Sequence, residues 1–146
     1  MNFRVAIPSV SRAETITKKT LNYLKQTDID MQKVDIFLSN PEEEQAYRHN
    51  LKDYPVNIII SNTKHVNTQR NFIVDYYKED ELILGIDDDI DLVAMKVDDK
   101  NTIQLNSLTE FVEQAFTISL DKKIDMWGVN PVINPYFMKN NVTFNL

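Results

Sequence analysis

Cysteine is absent from this chain of 146 residues, which excludes disulfides, thiolate metal sites and thiol catalysis. Glycine occurs only twice, so a Gly-rich phosphate loop of the Walker or dinucleotide-binding kind is excluded as well. A nucleotide, if one binds, must be held by other means. No apolar run approaches the length needed to cross a bilayer, and no membrane partner is expected. Positive charge is not in excess: the formal charge is −6 and the pI is near 4.9. That balance argues against broad non-specific binding to nucleic acid, while leaving room for a local basic cleft. There is no linker rich in Pro, Gly or Ser, no repeat and no low-complexity segment, so one domain over 1–146 is expected. Met1-Asn2-Phe3-Arg4-Val5 runs straight into a strand-like segment without a leader pattern. The expected compartment is therefore the cytoplasm.

What is present is ordinary for a globular protein, with 42% hydrophobic and 26% charged residues. Residues 3–7 read as a first strand ended by Pro8-Ser9, since proline cannot donate to a ladder. Over 14–26, Ile16, Leu21 and Leu24, with Thr20 between, mark the apolar face of a helix. A second strand spans 34–38. After it, Asn40-Pro41-Glu42-Glu43-Glu44 signals a helix start, with a capping Asn, Pro at the first helical position and glutamates at the positive dipole end. A third strand is expected over 56–60, a helix over 68–78 and a fourth strand over 82–86. Residues 90–97 suggest a turn and a short edge strand, and 98–102 a loop. A further helix begins near Asn106 or Ser107, and 126–129 reads as a last buried strand. Strands alternating with helices of this length imply an α/β fold, with a mostly parallel central sheet covered on both faces.

The stretch Ile86-Asp87-Asp88-Asp89-Ile90 stands out. An apolar run of buried-strand length ends in three adjacent carboxylates, which need solvent, basic partners or a divalent cation to be tolerated. In a parallel sheet this cluster shares one edge with Pro8-Ser9-Val10-Ser11-Arg12, with Ser39-Asn40 and with Ser61-Asn62-Thr63-Lys64-His65, which leads to Arg70 and Asn71. A rim of hydroxyls, amides, two arginines and carboxylates suits a nucleoside diphosphate, with Mg²⁺ or Mn²⁺ on the hard oxygen ligands. Plainer readings stand beside this. Arg70 would serve equally as an exposed helix residue paired with Asp75 or Glu14. His49 reads as solvent-facing, His65 as incidental, and Trp127 as core or cleft wall. Ser9 and Ser11 have no His and Asp at a suggestive spacing, so nucleophilic hydrolysis is not expected.

These residues resemble a known family. Ile7-Pro8-Ser9 with Arg12, Thr20-Leu21, Arg70-Asn71-Phe72-Ile73, Ile86-Asp87-Asp88-Asp89-Ile90, Trp127-Gly128-Val129-Asn130-Pro131 and Asn134-Pro135-Tyr136-Phe137 are similar to the TET-associated glycosyltransferases of phages and viruses. Those are nucleotide-sugar enzymes of the Rossmann-like GT-A fold. The resemblance implies a cluster of the DXD type and a donor site formed by Pro8, Ser9, Arg12, Arg70, Asp87 and Asp88. Asp87 and Asp89 would be the ligands of Mn²⁺ or Mg²⁺, Asp89 the principal one. It also implies a nucleoside-diphosphate sugar as donor, UDP-sugar favoured, and as acceptor a hydroxyl of a modified DNA base or of a viral surface glycan. The compartment would then be the host cell cytoplasm.

Residues 1–91 would form the nucleotide-sugar-binding half and 92–146 a partial acceptor-side half, because such enzymes normally continue further past the Asp cluster. No residue is assigned as catalytic base; Asp121 and Asp125 flank a helix end, where an Asp is unremarkable. An open sheet edge near the C-terminus would invite a partner strand and hence a homo-oligomer. The alternative reading is a catalytically incomplete nucleotide-binding or regulatory module acting with a partner chain. A nucleotidyltransferase lacks its Gly-rich signature here. A dehalogenase-type phosphatase would want Thr or Val where Asp91 stands.

Overall fold

The computed structural model describes residues 1–63, 65–129, 131–139 and 141–144; Lys64, expected on the rim, and Asn130 lie outside the described residues. Two compact units are formed, Met1–Asp91 and Leu92–Leu146. The first holds a four-stranded sheet of β1 (Phe3–Ser9), β2 (Val34–Leu38), β3 (Asn57–Ile60) and β4 (Leu82–Gly85). All its pairings are parallel, in the order β3-β2-β1-β4. The chain builds from β1 outward through β2 to β3, then returns to the free side of β1 as β4. Strand order therefore reverses between β1 and β4, and ligands of open α/β sheets bind outside the carboxyl ends of the strands at such a reversal.

Helices cover both faces. On one, α3 (Val66–Tyr76) lays Ile73 and Phe72 against Ala6, Phe37, Ile59 and Ile83. Phe37 meets Tyr76 edge-on at 5.3 Å and Phe72 at 6.2 Å between centroids. Burying this ring completely contributes roughly 2–3 kcal/mol. The alternate residues of the same strands, Val5, Ile7, Ile36 and Leu38, are fully enclosed on the other face. There α2 (Glu44–Asn50) reaches the sheet through Tyr47, beside α1, a helix over 13–26. Within α1, Ala13–Ile16 and Asn22–Gln26 are α-helical and Thr17–Leu21 is π-helical. The wider π turn explains how Ile16 and Leu21, five apart, are both buried together with Thr20 and Leu24.

Proline 8 does not end β1, as the sequence suggests; the strand runs through it to Ser9. The reason lies in the ladder. Ala6 accepts from the Ile86 amide on the β4 side, and residues two apart face the same neighbour. The missing N–H of Pro8 therefore falls beyond the last pairing of β1 with β4, at Ala6 and Gly85, where none is required.

The second unit contains β5 (Ala94–Lys96) and β6 (Thr102–Gln104), an antiparallel hairpin, and α4 (Leu108–Lys122). Strand β6 begins where the sequence reads as loop. Asp98 shapes the turn by accepting from the amides of Lys100 at 2.8 Å and Asn101 at 2.9 Å. Ser107 caps α4 through the Glu110 amide at 2.9 Å. The strand expected at 126–129 is absent. Met126 and Val129 are exposed, and Trp127 packs edge-on against Phe116 and Phe111 of α4 at 5.5 and 6.2 Å. A short apolar run does not distinguish a strand from a tail laid on a helix. No described helix is long and apolar enough to cross a membrane.

Candidate donor site

Three turns of the first unit converge at the strand-order reversal. Ser9 closes β1, Arg12 precedes α1, and Asp87-Asp88-Asp89 follow β4. Repulsion among the three carboxylates is relieved by sending them in different directions. Asp88 points inward and is 6% exposed. Its Oδ2 accepts from Ser9 Oγ at 2.5 Å and its Oδ1 from Arg12 Nη1 at 3.1 Å. Asp89 faces solvent and shares that nitrogen, Arg12 Nη1 to Asp89 Oδ2 being 3.1 Å. Asp87, also exposed, accepts from Arg70 Nη2 of α3 at 2.9 Å. Lys19 of α1 pairs with Asp91 at 3.0 Å. The proximity of Asp88 and then Asp89 holds the Arg12 guanidinium pKa above its ordinary value.

The backbone of the Asp turn is fixed by a residue that sequence reading left in the helix face. Thr20, fully buried in the π segment, donates its hydroxyl to the Asp87 carbonyl at 2.8 Å and accepts from the Ile90 amide at 2.9 Å. A β-turn would join that carbonyl and that amide directly. Here the Thr20 hydroxyl is inserted between them. Thr20→Val, nearly isosteric, removes both bonds and leaves two backbone groups unpaired. We expect a loss of about 1–2 kcal/mol in chemical denaturation. A stability unchanged from wild type would show that the turn stands without the hydroxyl.

Among the residues singled out from sequence, the structure gathers Ser9, Arg12, Asp88 and Asp89 into one hydrogen-bonded cluster. Pro8 lies beside Ser9 in β1, and Arg70 reaches Asp87 rather than Asp75 or Glu14. Ser61 is turned inward onto the Leu38 carbonyl at 2.9 Å, and His65 caps α3 with Thr68. Asp121 and Asp125 belong to the second unit, where Asp121 pairs with its neighbour Lys122. The sequence names Thr20 on a helix face and in the family resemblance and Glu43 at a helix start without giving either a part in the site, and it does not single out Tyr47. The signal for Tyr47 was its place as the one large hydrophobic side chain in the Glu44–Asn50 helix.

Residues 3–130 match the model of the TET-associated glycosyltransferases. The chain belongs to this family. No curated protein and no solved structure matches it. Family membership makes the chain a glycosyltransferase, a class that moves sugar from a nucleotide-sugar donor to an acceptor, and it agrees with the all-parallel sheet flanked by helices.

Proposed function

We propose that this glycosyltransferase is metal-dependent and binds its donor, a nucleoside-diphosphate sugar with UDP favoured, at the β1/β4 reversal. The observation that carries the reading is the convergence there of three carboxylates and two arginines on the rim where such folds place ligands. An anionic diphosphate needs positive charge, and Arg12, on Asp88 and Asp89, and Arg70, on Asp87, would supply it.

The residues also fit a divalent cation. Asp87 Oδ1 and Asp89 Oδ2 each engage one arginine, which leaves Asp87 Oδ2 and Asp89 Oδ1 without a hydrogen bond among the described residues. No group of three or more His, Asp or Glu that could hold a metal occurs among those residues. Two carboxylates completed by substrate phosphates are how Mg²⁺ is usually bound in phosphate-handling sites. Asp87 and Asp89 would hold Mn²⁺ or Mg²⁺, which when bound supplies Lewis-acid charge to the leaving diphosphate. Asp88, which the resemblance puts on the donor, is buried with both oxygens engaged by Ser9 and Arg12, so here it would serve as an anchor that keeps Arg12 and the β1 terminus in place. Pro8 and Ser9 would line the nucleoside pocket.

For the acceptor, the family points to a hydroxymethylated base in DNA, while the charge of −6 gives no general attraction to a polyanion. The test is transfer from labelled UDP-sugars, with Mn²⁺, to a duplex carrying hydroxymethylated bases and to free glycans. Label entering the duplex is expected. Label entering only glycan would redirect the acceptor. Nucleotide binding without transfer to either would instead favour a binding module that works with a partner chain.

A further inference from the structure

Tyr47 is 1% exposed, and burying a phenol is costly unless its hydroxyl is paired. It is paired twice, with the Arg12 backbone amide at 3.0 Å and with Ser9 Oγ at 2.7 Å. Counting protons fixes the direction of each bond. A backbone amide can only donate, so Tyr47 Oη accepts from Arg12. An ionised Asp88 can only accept, so the single proton of Ser9 is spent on Asp88 Oδ2 at 2.5 Å. The Ser9–Tyr47 contact is left with one proton, that of the phenol, and Tyr47 donates. Burial raises the phenol pKa, so this proton is kept throughout the neutral range.

Asp88 Oδ1 then accepts from the Arg12 guanidinium at 3.1 Å. The chain of bonds runs from the Arg12 amide through Tyr47, Ser9 and Asp88, and returns to the Arg12 side chain. It is a closed ring, and such chains strengthen one another by polarisation.

A second strap comes from the start of the same helix. Glu43 Oε2 accepts from the Ser11 amide at 2.6 Å, while its Oε1 is held by Ser39 Oγ at 3.0 Å and Asn40 Nδ2 at 2.8 Å. Ser11 has a φ of 53°, a left-handed conformation unfavourable for a residue with a Cβ. The shape of the loop before α1 is thus imposed by the segment carrying Glu43 and Tyr47, not by its own preference.

We propose that Tyr47, supported by Glu43, is a positioning residue of the donor site: it fixes the Arg12 backbone so that the guanidinium is presented over Asp88 and Asp89, where a diphosphate meets it. This rests on the donor-site reading above. Tyr47 itself touches no substrate and acts through Arg12.

Two readouts on one set of proteins test it: hydrogen exchange of the Arg12 and Ser11 amides by NMR, and titration with UDP in Mg²⁺. Tyr47→Phe keeps the ring and removes only the hydroxyl. We expect the Arg12 amide to exchange about tenfold faster and UDP to bind about tenfold more weakly. In an Arg12→Ala background the same substitution should cost no further affinity, because its route is gone. Unchanged Arg12 exchange, or equal affinity losses in both backgrounds, would overturn the proposal. If Tyr47→Phe does not fold, Glu43→Gln carries the test through faster exchange at Ser11 and weaker UDP binding, and no change in either overturns it. A wild type that binds no UDP, with Arg12 exchange still accelerated in Tyr47→Phe, would sink the donor-site reading and leave the ring standing.

Discussion

Asp35→Ala is expected to lower the stability of the folded chain by about 3 kcal/mol. This carboxylate lies within β2 and is 2% exposed, far below what an unpaired charge tolerates. Four donors compensate it. Arg4 of β1 supplies Nε to Oδ2 at 2.8 Å and Nη2 to Oδ1. Asn57 of β3 donates to Oδ1 at 2.9 Å, and Tyr77, just past α3, donates to Oδ2 at 2.8 Å. Three strands and the end of a helix are thus tied to one side chain. Burial and then the neighbouring Asp35 raise the Tyr77 pKa well above its ordinary value, so its phenol remains a donor. Removing Asp35 strands all four donors. The cost stays at the lower end of the range for broken buried pairs because the Arg4 side chain is 29% exposed and water can reach it. In urea the midpoint should fall with little change in slope. Asp35→Asn should recover part of the loss, since an amide oxygen can still accept. A fall below about 1 kcal/mol would show that the network is incidental. By contrast, the exposed pair of Arg70 and Asp87 should add little to stability, as surface ion pairs generally do.

What could be read from the sequence was what repeats locally. The runs in β1 to β4, the Asn40-Pro41 helix start and the apolar face of α1 each announce themselves within a few residues. The rule that parallel strands share a ligand-binding edge then placed Ser9, Arg12 and the Asp cluster together without coordinates. Contacts across the chain carry no such mark. Thr20 and the Asp87 carbonyl are 67 positions apart, and Ser9 and Tyr47 are 38 apart. Nothing in either segment names the other. Asp35 is a polar residue inside an apolar strand, and its partners at 4, 57 and 77 become visible only once the sheet order is known. The misreadings have physical causes too. Pro8 looked like a strand end because the β4 ladder, already finished at Gly85, was not in view. Residues 126–129 looked like a buried strand because a short apolar run reads the same whether it enters a sheet or, as with the half-buried Trp127, packs on a helix. The acidic run at 42–44 was rightly placed at a helix start, but that placement hid the bond from Glu43 to the Ser11 amide.

The proposed binding of donor at the β1/β4 reversal turns on Asp89. Its carboxylate is exposed and shares Arg12 with Asp88, so it can receive a cation and a phosphate without unfolding anything. Calorimetric titration of UDP, GDP and their sugars, with and without Mn²⁺, on wild type and Asp89→Ala, tests it directly. Binding is expected to require the cation and to fall by about a hundredfold in Asp89→Ala, the upper range for losing even an outer-shell partner of a metal site. Absence of nucleotide binding, or binding indifferent to both the cation and Asp89, would contradict it.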